Sequence, residues 1–544
     1  MAHLSRRQVL AAAGAATLGL AGCGSGAKSG GNLADNRTGA MAKFGVGDQF
    51  KASATQSYSM MYLNNPAYPL KNDWMFWSEL TKRTGVTLQN EVVPLSDYNQ
   101  KRSVIVSAGN APFIIPKTYH PDETAFVTGG AVIPVSDYLD LMPNYNDKVA
   151  KWSLGANLDT FRQADGKYYL LPGLHEQAWQ DYTLAMRTDI LAQLNLPTPQ
   201  TWDDVYTVLK AMKQAYPKSY PLSDRYNQPT PGGNLFSILG LAYGTAAGWG
   251  YNPAYWDATA GKYVYPGTQD GYRAMLEYLN KLFKEGLLDP ETFTQTDDKA
   301  RQKLANGQSF VISTNAQHLV IQYRPDLAKT NPKATIAKVP LPVGPAGPII
   351  DSGTRLENGI MISKQARNSK NFVAMMQFID WLWYSDAGQE YSKWGVEGVT
   401  FTKDSAGNYQ PTSDITIIGI NPKGTKDLRK DYGYYNGIFS YGGTTKLLES
   451  MFTDEEKVFQ KAVNSRRLTP VPPPAPLSDT EREQATLWEA PLKDYLFEQS
   501  LKFVLGQRPL SQWSAFQDEL KGKNVTQYVD TVNKAYDRYK SKHG

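Results

Sequence analysis

From Phe50 onward the chain alternates between short β-rich runs and helical runs, and that alternation leaves few architectures open to it. Tyr58-Ser59-Met60-Met61-Tyr62 has strand character. Residues 73–84 bring Trp74, Trp77 and Leu80 to one face at helical spacing, with Asp73 placed as N-cap and Gly85 placed to end the helix. Residues 86–93 return to strand, 98–108 to helix and 112–116 to a short strand. A second series starts near Lys167 with 168–173 and 182–186. There Thr201 caps a helix, and Asp204 three residues on completes a near capping box. From Asp479 the chain reads as mostly helical. The pattern predicts an α/β fold, a sheet covered by helices.

The first residues carry a different message. Ser5-Arg6-Arg7-Gln8 precedes a run of about 13 apolar residues, the layout of an export signal and too short for a membrane span. The arginine pair resembles a twin-arginine signal, although the general secretory route also accepts such a pair. The run closes on Leu20-Ala21-Gly22-Cys23, which resembles a bacterial lipobox. That resemblance implies cleavage after residue 22, a diacylated Cys23 and a tether to the outer face of the cytoplasmic membrane, on the extracellular or periplasmic side. The alternative is an ordinary buried cysteine. Residues 23–48, opening with Gly24-Ser25-Gly26-Ala27-Lys28-Ser29-Gly30-Gly31, read as a flexible leash.

Cys23 is the single cysteine, so an exported chain of this kind holds its fold without disulfides. With 544 residues, 41% of them hydrophobic, it has enough apolar surface to do so as a soluble, globular protein. The net charge of +5 is small for this length and no dense Lys/Arg block occurs, which argues against nucleic acid as a partner.

Several stretches carry a resemblance to the extracellular solute-binding proteins of ABC sugar importers. Arg187-Thr188-Asp189-Ile190-Leu191 with Pro199-Gln200-Thr201-Trp202-Asp203-Asp204 resembles one signature of that family. Phe378-Ile379-Asp380-Trp381-Leu382, Ser385-Asp386-Ala387-Gly388-Gln389, Trp394-Gly395-Val396-Glu397-Gly398, Gly506-Gln507-Arg508-Pro509-Leu510 and Ala535-Tyr536-Asp537-Arg538-Tyr539 resemble others, in the family's order. The pattern is most similar to the large members that bind alginate and other oligosaccharides. The resemblance implies a two-lobed periplasmic-binding-protein-like fold of type II, with the ligand held between lobes that close by a hinge. It implies a first lobe of 49–160 plus 346–405 and a second of 161–345 plus 406–544. It also implies permease subunits and an ATPase as partners, with the chain itself a monomer that needs no cofactor. Many large members carry a calcium loop after the helix that Thr201 opens. Here Gln214-Ala215-Tyr216-Pro217-Lys218-Ser219-Tyr220-Pro221 stands there without a carboxylate, so no calcium is expected.

Sugar capture asks for particular side chains. Pyranose rings stack their C–H faces on Trp and Tyr. Their hydroxyls need planar polar partners, because an unpaired polar group in a closed cleft costs about 1–3 kcal/mol. Loops at strand ends are where open α/β sheets hold ligands. Asn64 after the first strand, Tyr119 after 112–116, Trp179 and Asp181 near the first crossover, and Trp249 with Tyr251 in a Gly-rich loop are the candidates there, each with core packing as the alternative. The resemblance adds Asn315 and Gln317 after the strand near Phe310, and Tyr435 in a Tyr/Gly loop. It also adds Arg355 and Glu357 near the second crossover. Arg355 would either hold a carboxylate or sulfate bidentately or pair with Glu357 to brace the hinge.

A polysaccharide-degrading enzyme would also be exported and aromatic-rich. It would need two carboxylates poised across the sugar, whereas Asp203-Asp204, Asp297-Asp298 and Glu455-Glu456 read as helix starts or solvated faces. The histidines His3, His120, His175, His318 and His543 have no metal-ligand spacing. There is no G-x-S-x-G elbow and no internal repeat of the adhesion type. Binding without catalysis is the expectation, with a degrading enzyme or a binder of another solute such as a peptide as alternatives.

Overall fold

The computed structural model describes residues 32–225 and 232–543, so Cys23 and the export signal lie outside the described residues. Two large hydrophobic cores divide the chain. One gathers buried side chains from 50–174 and 360–452, the other from 178–350 and 459–532.

The first lobe is built on a five-stranded sheet in the spatial order Val86–Pro94, Gln56–Asn64, Ile114–Thr118, Leu356–Ile362, Leu171–Leu174. Gln56–Asn64 pairs in parallel with Val86–Pro94 from Gln56↔Val86 to Asn64↔Pro94, and with Ile114–Thr118 on its other side. Leu356–Ile362 enters antiparallel to both of its neighbours. A strand from late in the chain thus lies inside the first sheet, and two lobes must be joined by more than one crossing. The helix Met75–Thr84 buries Phe76 and Leu80, and Gly85 ends it at φ 71°, a left-handed conformation glycine adopts without steric cost. Asp73 does not cap it. Trp74 occupies the N-cap position, is buried, and donates its indole N–H to the Lys430 carbonyl at 2.9 Å. The strand expected at 112–116 runs over Ile114–Thr118.

The second lobe centres on Thr183–Arg187, antiparallel to Val311–Thr314 and Ile336–Lys338. Thr201 caps Trp202–Ala215 as expected, its hydroxyl accepting from the Asp204 amide while the Asp204 carboxylate accepts from the Thr201 amide. The helices Asp479–Val504, Trp513–Gly522 and Val525–His543 complete the lobe, with Tyr272 and Ser500 hydroxyls 2.8 Å apart. No described helix is long and apolar enough to cross a membrane.

The expected boundaries move, the one at 345 to Ile350 included, since Ile350 is buried in the second core. Much of the leash is packed: Asn36 donates to the Ser369 carbonyl at 2.7 Å, the Met41 amide to Gln377 at 2.9 Å and the Gly47 amide to Asn144 at 2.9 Å. Residues 161–174 sit in the first core rather than the second, as do 406–452, whose Ile415, Leu428, Tyr434, Phe439 and Met451 are buried there. The lobes are therefore 33–174 with 351–452, and 178–350 with 453–543.

Candidate functional site

Chain crossings between the cores fall near 175–177, 351–355 and 453–458. The first two are laced together. His175 donates its amide to the Arg355 carbonyl at 2.9 Å, and Arg355 Nη2 donates to the carbonyls of Glu176 at 2.9 Å and Trp152 at 2.7 Å. Glu176 in turn accepts from the Thr445 amide at 2.7 Å. Arg355 thus braces the crossings through carbonyl groups. It does not pair with Glu357, whose Oε2 lies 2.9 Å from His175 Nε2 and accepts from the Gly442 amide at 3.1 Å. Although burial acts to raise the Glu357 pKa, His175 and Lys117 hold it below the usual range.

Between the lobes lies a narrow cavity of ≈ 100 Å³ lined from both sides. Trp179, at the first crossing, forms one wall. Its ring stacks on His175 with centroids 6.0 Å apart and leans on Phe452 at 5.0 Å. Asp181, Asn315 and Gln317 come from the second lobe, Tyr435 from the first. Asn315 caps the short turn Ala316–His318, accepting from the His318 amide at 2.8 Å, which points the turn into the cavity. Burial raises the Asp181 pKa against the opposing influence of Lys338 and the Ala316 amide. Below it, Lys338 is fully buried, bonds both Glu456 oxygens at 2.9 Å and donates to the Asp181 carbonyl at 2.9 Å. Tyr435 holds φ 51°, a left-handed conformation that a bulky residue adopts only where its surroundings enforce it. Burial raises its phenol pKa.

A second hollow of ≈ 210 Å³ opens on the first lobe alone, beyond the C-terminal ends of its parallel strands. Tyr119 lines it, with Asn65, Tyr68, Asn99, Lys117 and Asn436. Asn64 does not line it; its side-chain oxygen accepts from the Leu70 amide at 2.9 Å and shapes the loop.

The glycine-rich aromatic pair separates. Gly248 packs so tightly on the helix Gly233–Ala242 that an added Cβ would lie 2.1 Å from the Gly233 carbonyl oxygen. That packing holds Trp249 exposed, edge-on to Tyr182 with centroids 5.2 Å apart. Tyr251 turns into the second core, its hydroxyl donating to Tyr265 at 3.2 Å and its ring 5.1 Å from Phe497. Trp179, Asp181, Asn315, Gln317 and Tyr435 are therefore assembled in one cavity, Tyr119 borders a second, Arg355 lines a separate hollow of ≈ 710 Å³ at the crossings, and Tyr251 is turned into the second core. Lys117, Tyr68 and Phe452 were not apparent in the sequence. Phe452 and Tyr68 lie in ordinary loop contexts, whereas Lys117 had one usable signal, its place just before Tyr119 at a strand end.

No group of three or more His, Cys, Asp or Glu side chains placed to hold a metal occurs among the described residues. What the site offers is stacking surface, amides and carboxylates facing one another across a hinge. Two lobes joined by braced crossings around such a cleft define a ligand-capture protein of the two-lobed binding class. Residues 77–417 match the bacterial extracellular solute-binding protein family, and the chain belongs to it. Members of that family bind and do not catalyse, and this chain is a binding protein. The fructooligosaccharide ABC transporter substrate-binding protein FusA of Streptococcus pneumoniae is 21% identical over 535 residues, covering 91% of this chain and 93% of FusA. Lipoprotein LipO of Bacillus subtilis is 25% identical over 318 residues, covering 55% of this chain and 59% of LipO. Among solved structures, the alginate-binding protein AlgQ2 without calcium ion superposes with a TM-score of 0.68 at 20% identity, over 90% of this chain and 99% of that one.

Proposed function

We propose that the chain captures an oligosaccharide between its lobes and delivers it to the permease of an ABC transporter. The observation that carries this reading is the convergence of Trp179, Tyr435, Asp181, Asn315 and Gln317 from opposite lobes on one cavity. Aromatic faces would stack the apolar side of a sugar ring. The carboxylate and amides would take its hydroxyls, each pair contributing about 0.5–1.5 kcal/mol. Binding favours the closed arrangement, and a permease would read that population shift. FusA, a relative along nearly the whole chain, is by its name a fructooligosaccharide binder, which supports the same ligand class here. Residues 1–22 would direct export, by the twin-arginine route, and Cys23 would carry the lipid that keeps a monomeric binder at the outer face of the membrane. LipO, itself named a lipoprotein, supports that anchoring.

Calorimetric titration of the mature chain with a panel of oligosaccharides, followed by product analysis, tests the reading. A saturable complex with unaltered sugar is expected. Trp179→Ala and Tyr435→Ala are each expected to weaken it about tenfold or more, about 1.4 kcal/mol, the order lost when a buried aromatic anchor is truncated. Sugar cleavage without a stable complex, or full affinity in both variants, would sink it.

A further inference from the structure

Among the described residues Lys117 makes no direct salt bridge, and Tyr119, Glu357 and Tyr68 act on its charge only from a distance. It stands next to last in the strand Ile114–Thr118 at φ 58°, outside the range a lysine ordinarily adopts. The conformation is imposed by the helix Tyr98–Ser107, from which Arg102 donates to the Lys117 carbonyl at 2.7 Å and Tyr98 to the Pro116 carbonyl at 2.7 Å. The ammonium is thereby held beside Gly437, where an added Cβ would lie 3.7 Å from it, and 5.8 Å from the Tyr441 ring centroid. Among the described residues no carboxylate comes within ion-pairing distance of it, and Glu357 is taken by His175. Burial alone would favour the neutral amine. Tyr119, Glu357 and Tyr68 outweigh that and keep it charged. The hollow it faces, ≈ 210 Å³, is lined by Asn65, Tyr68, Asn99, Tyr119 and Asn436 and contains no Asp or Glu. A charge kept in a carboxylate-free, aromatic and amide-lined hollow the size of one sugar ring is complementary to an anionic ring.

We propose that this first-lobe hollow is a subsite for a saccharide unit bearing a carboxylate or sulfate, with Lys117 as its counter-charge. The inference rests on the oligosaccharide-capture reading and narrows it to acidic saccharides. Lysine acts here as a point charge, so either anion would serve.

The test is calorimetry on the mature chain with three probes of equal length: a hexuronate oligosaccharide, a sulfated neutral oligosaccharide and the unsubstituted neutral one. At least one acidic probe is expected to bind about tenfold or more tighter than the neutral one. Lys117→Met is expected to abolish that preference by weakening the acidic probe about tenfold or more beyond any loss for the neutral one, and Lys117→Arg to preserve it. The acidic probe that binds tighter identifies the anion. Should Lys117→Met fail to fold, salt dependence in the wild-type chain decides: only the acidic probe should weaken as salt rises. Equal binding of neutral and acidic probes, or equal losses in Lys117→Met, overturns the subsite while oligosaccharide capture stands. Failure of every saccharide to bind overturns both.

Discussion

Lys393 is wholly enclosed in the first lobe, with no hydrogen-bond partner for its ammonium. Burial pushes its pKa down to about 7, opposed by Glu357 and assisted by Lys148. The sign follows from linkage. A lysine whose folded pKa lies below its unfolded value binds fewer protons when folded, so stability rises with pH between about 7 and the normal 10.5. Lys393→Met removes the cost of burying that group. Thermal unfolding should show the variant more stable by on the order of 4 kcal/mol at pH 7, since each tenfold change in proton affinity is worth roughly 1.4 kcal/mol. The gain should vanish towards pH 10.5; a pH-independent gain would mean that packing, not charge, is the cause. At this scale the sequence was readable only where local chemistry decides placement. Asn315 and Gln317 were singled out by the family resemblance, and the turn that the Asn315 side chain itself caps fixes their place locally. Arg355 was ambiguous because its partners, the carbonyls of Trp152 and Glu176, lie far away in sequence and have no residue-type signature. Lys117 was obscured for a similar reason, since only the distant Arg102 and Tyr98 fix its backbone.

Elements differ in the same way, by reach. The capping box at Thr201–Asp204 involves residues three apart and is visible along the sequence, while the structure adds a second at Ser478–Glu481. Asp73 looked equally suitable, but Trp74 found a tertiary partner at Lys430 and set the helix start. Residues 406–452 contain small strands and short helices with no strong period, and their membership in the first core depends on contacts with Phe76, Trp383 and Tyr391 that no local pattern encodes. The longest helix, Asp479–Val504, offers a test of cap energetics. Glu481 accepts from the Ser478 amide at 2.8 Å and from Arg538 at 2.6 Å. Arg538 is the larger influence and Ser478 adds to it, so the carboxyl pKa falls to about 2. A depressed carboxyl contributes stability that is complete above its unfolded value near 4.5 and is lost as pH falls towards about 2. Glu481→Gln keeps an acceptor for the Ser478 amide and loses the charge facing Arg538, which should cost about 1 kcal/mol or less at pH 7 because Arg538 is partly solvated. Acid titration of unfolding should then show a flatter profile between pH 4.5 and 2 than the wild-type chain.

The whole molecule depends on how its crossings limit the approach of one lobe to the other. Cleft residues such as Asp181 and Tyr435 make useful contacts only when both lobes are near, so apparent affinity falls with the fraction of molecules able to close. Arg355 bears on that fraction without lining the narrow inter-lobe cavity. Its carbonyl receives the His175 amide, and its guanidinium clasps Glu176 in the first crossing and Trp152 in the first lobe. The first two crossings are thereby tied to each other and to the first lobe. Arg355→Met keeps the aliphatic stem and strands two carbonyl acceptors, at about 1–3 kcal/mol for a buried group left unpaired. The hinge should then become less directed. Small-angle scattering of the unliganded variant should give a larger radius of gyration than the wild-type chain. Affinity for whichever oligosaccharide the wild-type binds should weaken by about three- to tenfold, with unaltered stoichiometry. An unchanged radius together with unchanged affinity would place the hinge's control elsewhere, at the third crossing. Lost affinity with an unchanged radius would mean that Arg355 acts on the ligand rather than on the hinge.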